Sequence, residues 1–162
     1  MNQKEREQVL REELEALLEG GNAHDGWQHK LKEFPMEKIN TSLPALRTPT
    51  GTPLNPWALL VHMCICVKDI LDFVQQRDYN PLPFPAGYWP TEHEAPSPAE
   101  WTRKIESFSL LMAEAVQLVQ DQRTDLFSEL PHAPEYSLYR ELLLIADHNA
   151  YHLGQLGLFE EL

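Results

Sequence analysis

Little in this chain can tie it together covalently or hold it in a membrane. Its 162 residues include only two cysteines, Cys64 and Cys66. Two positions apart on a helix, their side chains leave at about 160–200° to one another, so they cannot close an intrahelical disulfide. Free thiols in an apolar segment suit a reducing compartment and small core residues. No apolar run approaches the roughly 18–20 residues that span a bilayer. The opening stretch, MNQKEREQVLREELEALL, is charged and amphipathic where a secretory leader would be apolar. The expectation is a cytoplasmic protein with no membrane partner. Basic residues are scarce as well: 13 against 25 acids, a formal charge of -12. Such a field repels phosphate backbones, so no nucleic-acid partner is expected. Period-two strands and short-period repeats are also missing, which argues against all-β and solenoid architectures.

What is present belongs to an ordinary globular domain. A hydrophobic fraction of 43% and a charged fraction of 23% are enough to build one core, and residues 1–162 are read as a single domain. Gln3 to Leu18 carries Val9, Leu10, Leu14, Leu17 and Leu18 at helical spacing, and Gly20-Gly21 supplies a stop. From Asn22 to Pro53 the pattern is irregular, with a short helix expected around Asp25 to Glu33 and turns from Asn40 onward. Asn55-Pro56 is an N-cap with proline at the first helical position, opening a second long helix that runs to about Gln76. Ser97-Pro98-Ala99-Glu100 has the form of a capping box and opens a third, reaching about Asp121. After a connection from Asp125 to Pro134, Ser137 can cap a last helix from Leu138 to about Glu160. These elements predict an all-α fold, a four-helix bundle whose two long crossover connections argue against a simple up-down arrangement.

The crossover between the second and third long helices is unusual. Pro81, Pro83, Pro85, Pro90 and Pro96 alternate with Phe84, Tyr88 and Trp89. Too proline-rich for helix and too aromatic for a free linker, this stretch should lie extended across the bundle, either as a packed crossover or as the rim of a pocket.

Seven histidines are present, and two of them, His148 and His152, leave one helix face about 40° and one turn apart, where they can share an ion. Glu141, Leu144, Ile145, Tyr151, Gln155 and Phe159 lie on the same face. On an inward face, unpaired Glu, His and Gln would each cost about 1–3 kcal/mol, so a shared metal or a full hydrogen-bond network must compensate. His62 sits in an apolar helical context, with Cys66 one turn and Asp69 two turns beyond it. Cys66 offers a softer alternative ligand, and Asp69 an outer-shell or capping partner. Glu141, two turns before His148, is the candidate general base. His29, His93 and His132 read as solvated surface, while His24 follows the first helix end and can fold back over the bundle mouth.

Beyond these spacings, Asn55-Pro56-Trp57-Ala58-Leu59-Leu60-Val61-His62, Gly87-Tyr88-Trp89-Pro90 and Asp147-His148-Asn149-Ala150-Tyr151-His152-Leu153-Gly154-Gln155-Leu156, together with Gly20-Gly21-Asn22-Ala23-His24, resemble the DinB-like (DinB/YfiT-like) superfamily of metal-dependent enzymes over essentially the whole chain. The resemblance implies a four-helix bundle in which His62, His148 and His152 bind a divalent metal, commonly zinc or nickel. It also implies a small-molecule substrate and either thiol S-transferase or hydrolase chemistry, with a low-molecular-weight thiol as cosubstrate in some relatives. Met63-Cys64-Ile65-Cys66 departs from the pattern, because close relatives carry a basic residue near the position of Cys64.

Three protein ligands with an open position are the arrangement of catalytic zinc. The alternative is a non-catalytic metal-binding bundle for stability, sensing or protein interaction. Ala146, Ala150, Gly154 and Gly157 leave part of the last helix small enough for close approach, compatible either with a homodimer or with tight packing inside one chain.

Overall fold

Three of the four long helices begin on a polar side chain that closes the first turn, and the fourth opens on its own reciprocal box. In α1 (Gln3–Glu19) the Asn2 side chain accepts from the Glu5 amide at 2.9 Å, and the Glu5 carboxylate accepts from the Asn2 amide at 2.8 Å. The Asn55 side chain accepts from the Ala58 amide at 2.7 Å to start α3 (Pro56–Gln75). Ser97 and Ser137 do the same for α4 (Pro98–Gln120) and α5 (Leu138–Glu160), each accepting from the amide three residues on at 3.3 Å. Only half of the box expected at α4 forms by these bonds, since the Glu100 carboxylate pairs with Arg103. A short helix, α2 (Trp27–Lys32), follows α1, and Gly20 ends α1 at φ 78°, a conformation that favours glycine.

The computed structural model describes residues 2–21, 23–75, 79–91 and 97–162. The fold is of the all-α class. α1 and α3 each pack against both α4 and α5, so the four long helices surround a common core, and α2 leans on α4 and α5. Leu14, Leu59, Leu60, Met63, Phe108, Met112, Leu142, Ile145, Leu156 and Phe159 fill that core. Trp101 is wholly buried and its indole N–H reaches the Leu31 carbonyl at 3.4 Å, fastening α2 to α4. Among the described residues no helix is long and apolar enough to cross a membrane.

The connections hold structure where only turns were expected. β1 (Leu43–Arg47) pairs antiparallel with β2 (Pro53–Leu54), and β3 (Glu129–Leu130) pairs antiparallel with β4 (Ala133–Ser137). One strand of each hairpin is only two residues long and both registers are irregular, so neither leaves an alternation to read. Asn22, Pro96 and His93, which the sequence reading used, lie outside the described residues.

Candidate metal centre

The α3–α5 seam brings His62 to His148 and His152. The Nε2 atoms of His62 and His148 are 3.1 Å apart, and those of His148 and His152 are also 3.1 Å apart. The rings meet edge to face, with centroids 4.4–5.0 Å apart. Local spacing accounts for the α5 pair, while His62 arrives from α3, packed against α5.

The remaining ring nitrogens fix two of the tautomers. His62 Nδ1 lies 2.6 Å from the Tyr88 carbonyl oxygen, which can only accept, so Nδ1 carries the hydrogen and Nε2 the lone pair. His152 Nδ1 likewise donates to Gln155 Oε1 at 2.7 Å, and the Gln155 amide N–H donates to the Tyr151 hydroxyl at 3.1 Å. Two lone pairs therefore converge on His148 Nε2. His148 Nδ1 is buried with no hydrogen-bond partner among the described residues.

Burial keeps all three rings neutral. It lowers the His62 pKa, opposed by the hydrogen bond to Tyr88. Burial, then the neighbouring charges of His152 and His62, brings His148 down to about 3. Burial and His62 bring His152 down to about 4. Neutral imidazole is the form that binds metal.

The donor set extends to sulfur. Cys66 Sγ, one turn beyond His62, stands 3.5 Å from His62 Nδ1 and 3.7 Å from Nε2. His62, Cys66 and His148 offer ligand atoms all within 4.8 Å of one another, a buried group that can hold a metal ion. Two nitrogens at about 2.0–2.1 Å from one tetrahedral zinc lie roughly 3.3 Å apart, and a zinc-bound nitrogen and sulfur roughly 3.5 Å apart. The observed spacings come near both. Burial, and after it the Asp69 charge, pushes the Cys66 thiol up to about 12, so without a cation beside it the sulfur keeps its proton.

The aromatic crossover forms one wall. Trp89 lies flat on His62, with centroids 3.9 Å apart and planes within 3°. The Asp69 carboxylate accepts from the Tyr79 hydroxyl at 2.5 Å and from the Tyr88 hydroxyl at 2.9 Å, clasping the crossover to α3. Beyond the rings opens a cavity of about 640 Å³ whose wall includes Leu54, Ile70, Phe84, Trp89, Tyr151 and Arg47.

Glu141 does not reach this wall. Seven residues before His148 it shares the helix face but lies about 10 Å along the axis, where it is buried and paired with Arg140 at 2.5 Å. His24 is exposed, its Nδ1 against the Asp25 carbonyl, and lines a different depression with Lys30 and Gly157. His29 is exposed, whereas His132 is half-buried with its ring edge-on to Phe73, because the β3–β4 hairpin folds it inward. Cys64 also turns away from the cavity, toward the Lys104 carbonyl. Arg47 and Pro49 were not foreseen as wall residues, since nothing in their own stretch signals a cavity. No family model, curated protein or solved structure matches the chain.

Proposed function

We propose that the chain is a four-helix bundle of the DinB-like type which binds one divalent metal, zinc or nickel, through His62, His148 and His152. We further propose that it is an enzyme acting on a small molecule in the adjoining cavity by thiol S-transfer or hydrolysis. One observation carries this reading. His62 and His152 each spend their Nδ1 hydrogen on a fixed oxygen and aim their Nε2 lone pairs to within 3.1 Å of His148 Nε2. A ring hydrogen donated outward to a carbonyl while the other nitrogen faces inward is the habit of metal-binding histidine. A hydrogen on His148 Nε2 can serve only one of the two lone pairs that face it, whereas a cation accepts all three.

A divalent ion held there supplies Lewis-acid charge to an oxygen or sulfur of the substrate. The protein's own part is to keep three imidazoles neutral, to lock two of them by Tyr88 and Gln155, and to wall the site with Trp89 so that water is thinned around the substrate. Protein purified without an affinity tag should carry about one equivalent of metal by elemental analysis. His148→Ala should lose it while keeping its helical circular dichroism. A full complement of metal in that variant would remove His148 from the ligand set.

A second reading is favoured by Cys66. If its sulfur joins the three histidines, four protein donors close the site, the arrangement of structural rather than catalytic zinc, and the bundle binds metal for stability or sensing. Cobalt(II) separates the two. A near-ultraviolet sulfur-to-cobalt absorption that vanishes in Cys66→Ser marks the closed site, and its absence from the wild type marks the open one.

A further inference from the structure

The cavity beside the histidines is apolar and aromatic along most of its wall, with Leu54, Ile70, Phe84 and Trp89 among its residues, and Arg47 is the one lysine or arginine among them. Its volume of about 640 Å³ is in the range of small-molecule sites. Resting on the metal-centre reading above, we propose that the substrate has an apolar body bearing an anionic carboxylate-like group, and that Arg47 recognises that group.

Arg47 is built into place. It ends β1, and its Nη1 donates to the Gly51 carbonyl across the hairpin turn at 2.9 Å. The turn is stiff: the Thr48 amide donates to the Thr52 carbonyl at 2.8 Å and the Gly51 amide to the Thr48 carbonyl at 2.9 Å. The Thr48 hydroxyl, itself buried, bonds the Thr50 and Thr52 hydroxyls at 2.8 and 2.7 Å. Gly51 sits at φ 88°, which a residue with a side chain would resist. Leu54, in β2, is buried in the core, and the next residue, Asn55, caps α3. The guanidinium therefore stands on a platform anchored to the helix that carries His62.

Its charge is uncommitted. Among the described residues Arg47 has no ion pair, and one bond to Gly51 leaves most of its five N–H groups free. Asp69, the acid in the same wall, already accepts from two tyrosine hydroxyls. At an apolar cavity the planar fork of such an arginine matches a carboxylate by two parallel hydrogen bonds. The position near Cys64 contributes nothing to this selection, because Cys64 is turned toward α4.

The test uses cobalt(II)-loaded full-length protein and two flexible thiols of equal length, 6-mercaptohexanoate and 6-mercaptohexanamide, with thiol binding read from the visible cobalt absorption. The wild type should bind the acid at least tenfold more tightly than the amide. Arg47→Gln should abolish that preference by weakening binding of the acid about tenfold or more. Equal affinities in the wild type overturn the proposal and leave the metal reading standing. So does a preference that survives in Arg47→Gln, which would place the carboxylate on another group. If the protein takes up no cobalt, the metal reading itself fails and the substrate proposal falls with it; if cobalt is taken up but neither thiol perturbs its spectrum, the substrate proposal alone is overturned.

Discussion

His62 Nδ1 gives its hydrogen to the backbone carbonyl of Tyr88, 2.6 Å away and twenty-six residues on in the chain. Orientation of that ring thus depends on the crossover, and the crossover depends on Asp69, whose carboxylate takes both the Tyr79 and the Tyr88 hydroxyls. Asp69→Ala should free the clasp and weaken metal binding by about 10- to 100-fold, the usual effect of losing an outer partner. Competition with a chromophoric chelator measures it. The double variant Tyr79→Phe, Tyr88→Phe should move affinity the same way while leaving the carboxylate in place. Unchanged affinity in both would show that the Asp69 clasp does not set the ring.

Acid should destabilise the metal-free protein earlier than carboxylate titration would. An unfolded histidine takes a proton near 6.5, whereas folded His148 and His152 hold out to about 3 and about 4 because they are buried. Between those values the unfolded state binds more protons. The stability these rings permit is therefore complete above pH 6.5 and is lost progressively as pH falls through that window toward the folded values. Denaturant midpoints of chelated protein should drop between pH 7 and pH 5, above the range of Asp and Glu, and the double variant His148→Gln, His152→Gln should flatten the decline. A midpoint that rose on acidification would mean the rings are charged in the fold.

How much of this was legible in the chain follows from range. Asn55, Ser97 and Ser137 announce their helices because a cap acts over three residues, and His148 and His152 announce one another because one helical turn joins them. His62 meets them across eighty-six positions, and no local pattern encodes that; only the resemblance linked them. Glu141 shows the limit of facial arguments: angle around a helix is periodic, but depth along it is not, and depth put Glu141 beside Arg140 instead of the cavity. Arg47 was invisible for a related reason. Its place in the wall exists only once a hairpin with a two-residue strand has folded.

Arg11 makes a separate prediction about what holds the helices together. It is buried on α1, and its guanidinium donates to the Val119 carbonyl at 2.7 Å, the Thr124 carbonyl at 2.6 Å and the Glu7 carboxylate at 2.7 Å. These bonds satisfy carbonyls at and just beyond the end of α4, where the helix itself supplies no donors. Arg11→Ala should cost about 2–4 kcal/mol by urea unfolding, since buried acceptors lose a charged donor. Arg11→Lys should recover only part, because an ammonium cannot reach all three oxygens from one plane. A loss below about 0.5 kcal/mol in the alanine variant, the range of ordinary surface substitutions, would sink this account.

Metal removal should register in thermal stability through the same three rings. A ligand that binds only the folded state at a hundred times its dissociation constant stabilises by about 2.7 kcal/mol. In a chain of this length each kcal/mol moves Tm by roughly 2–4 °C, so chelation should lower the wild-type Tm by about 5–11 °C. Readdition of zinc or nickel should restore it, in proportion to the logarithm of free metal once the site is saturated. His148→Ala, already without metal, should show no chelator effect at all. That control carries the inference, because a chelator-induced shift of equal size in His148→Ala would show that the stabilising ion does not depend on His148.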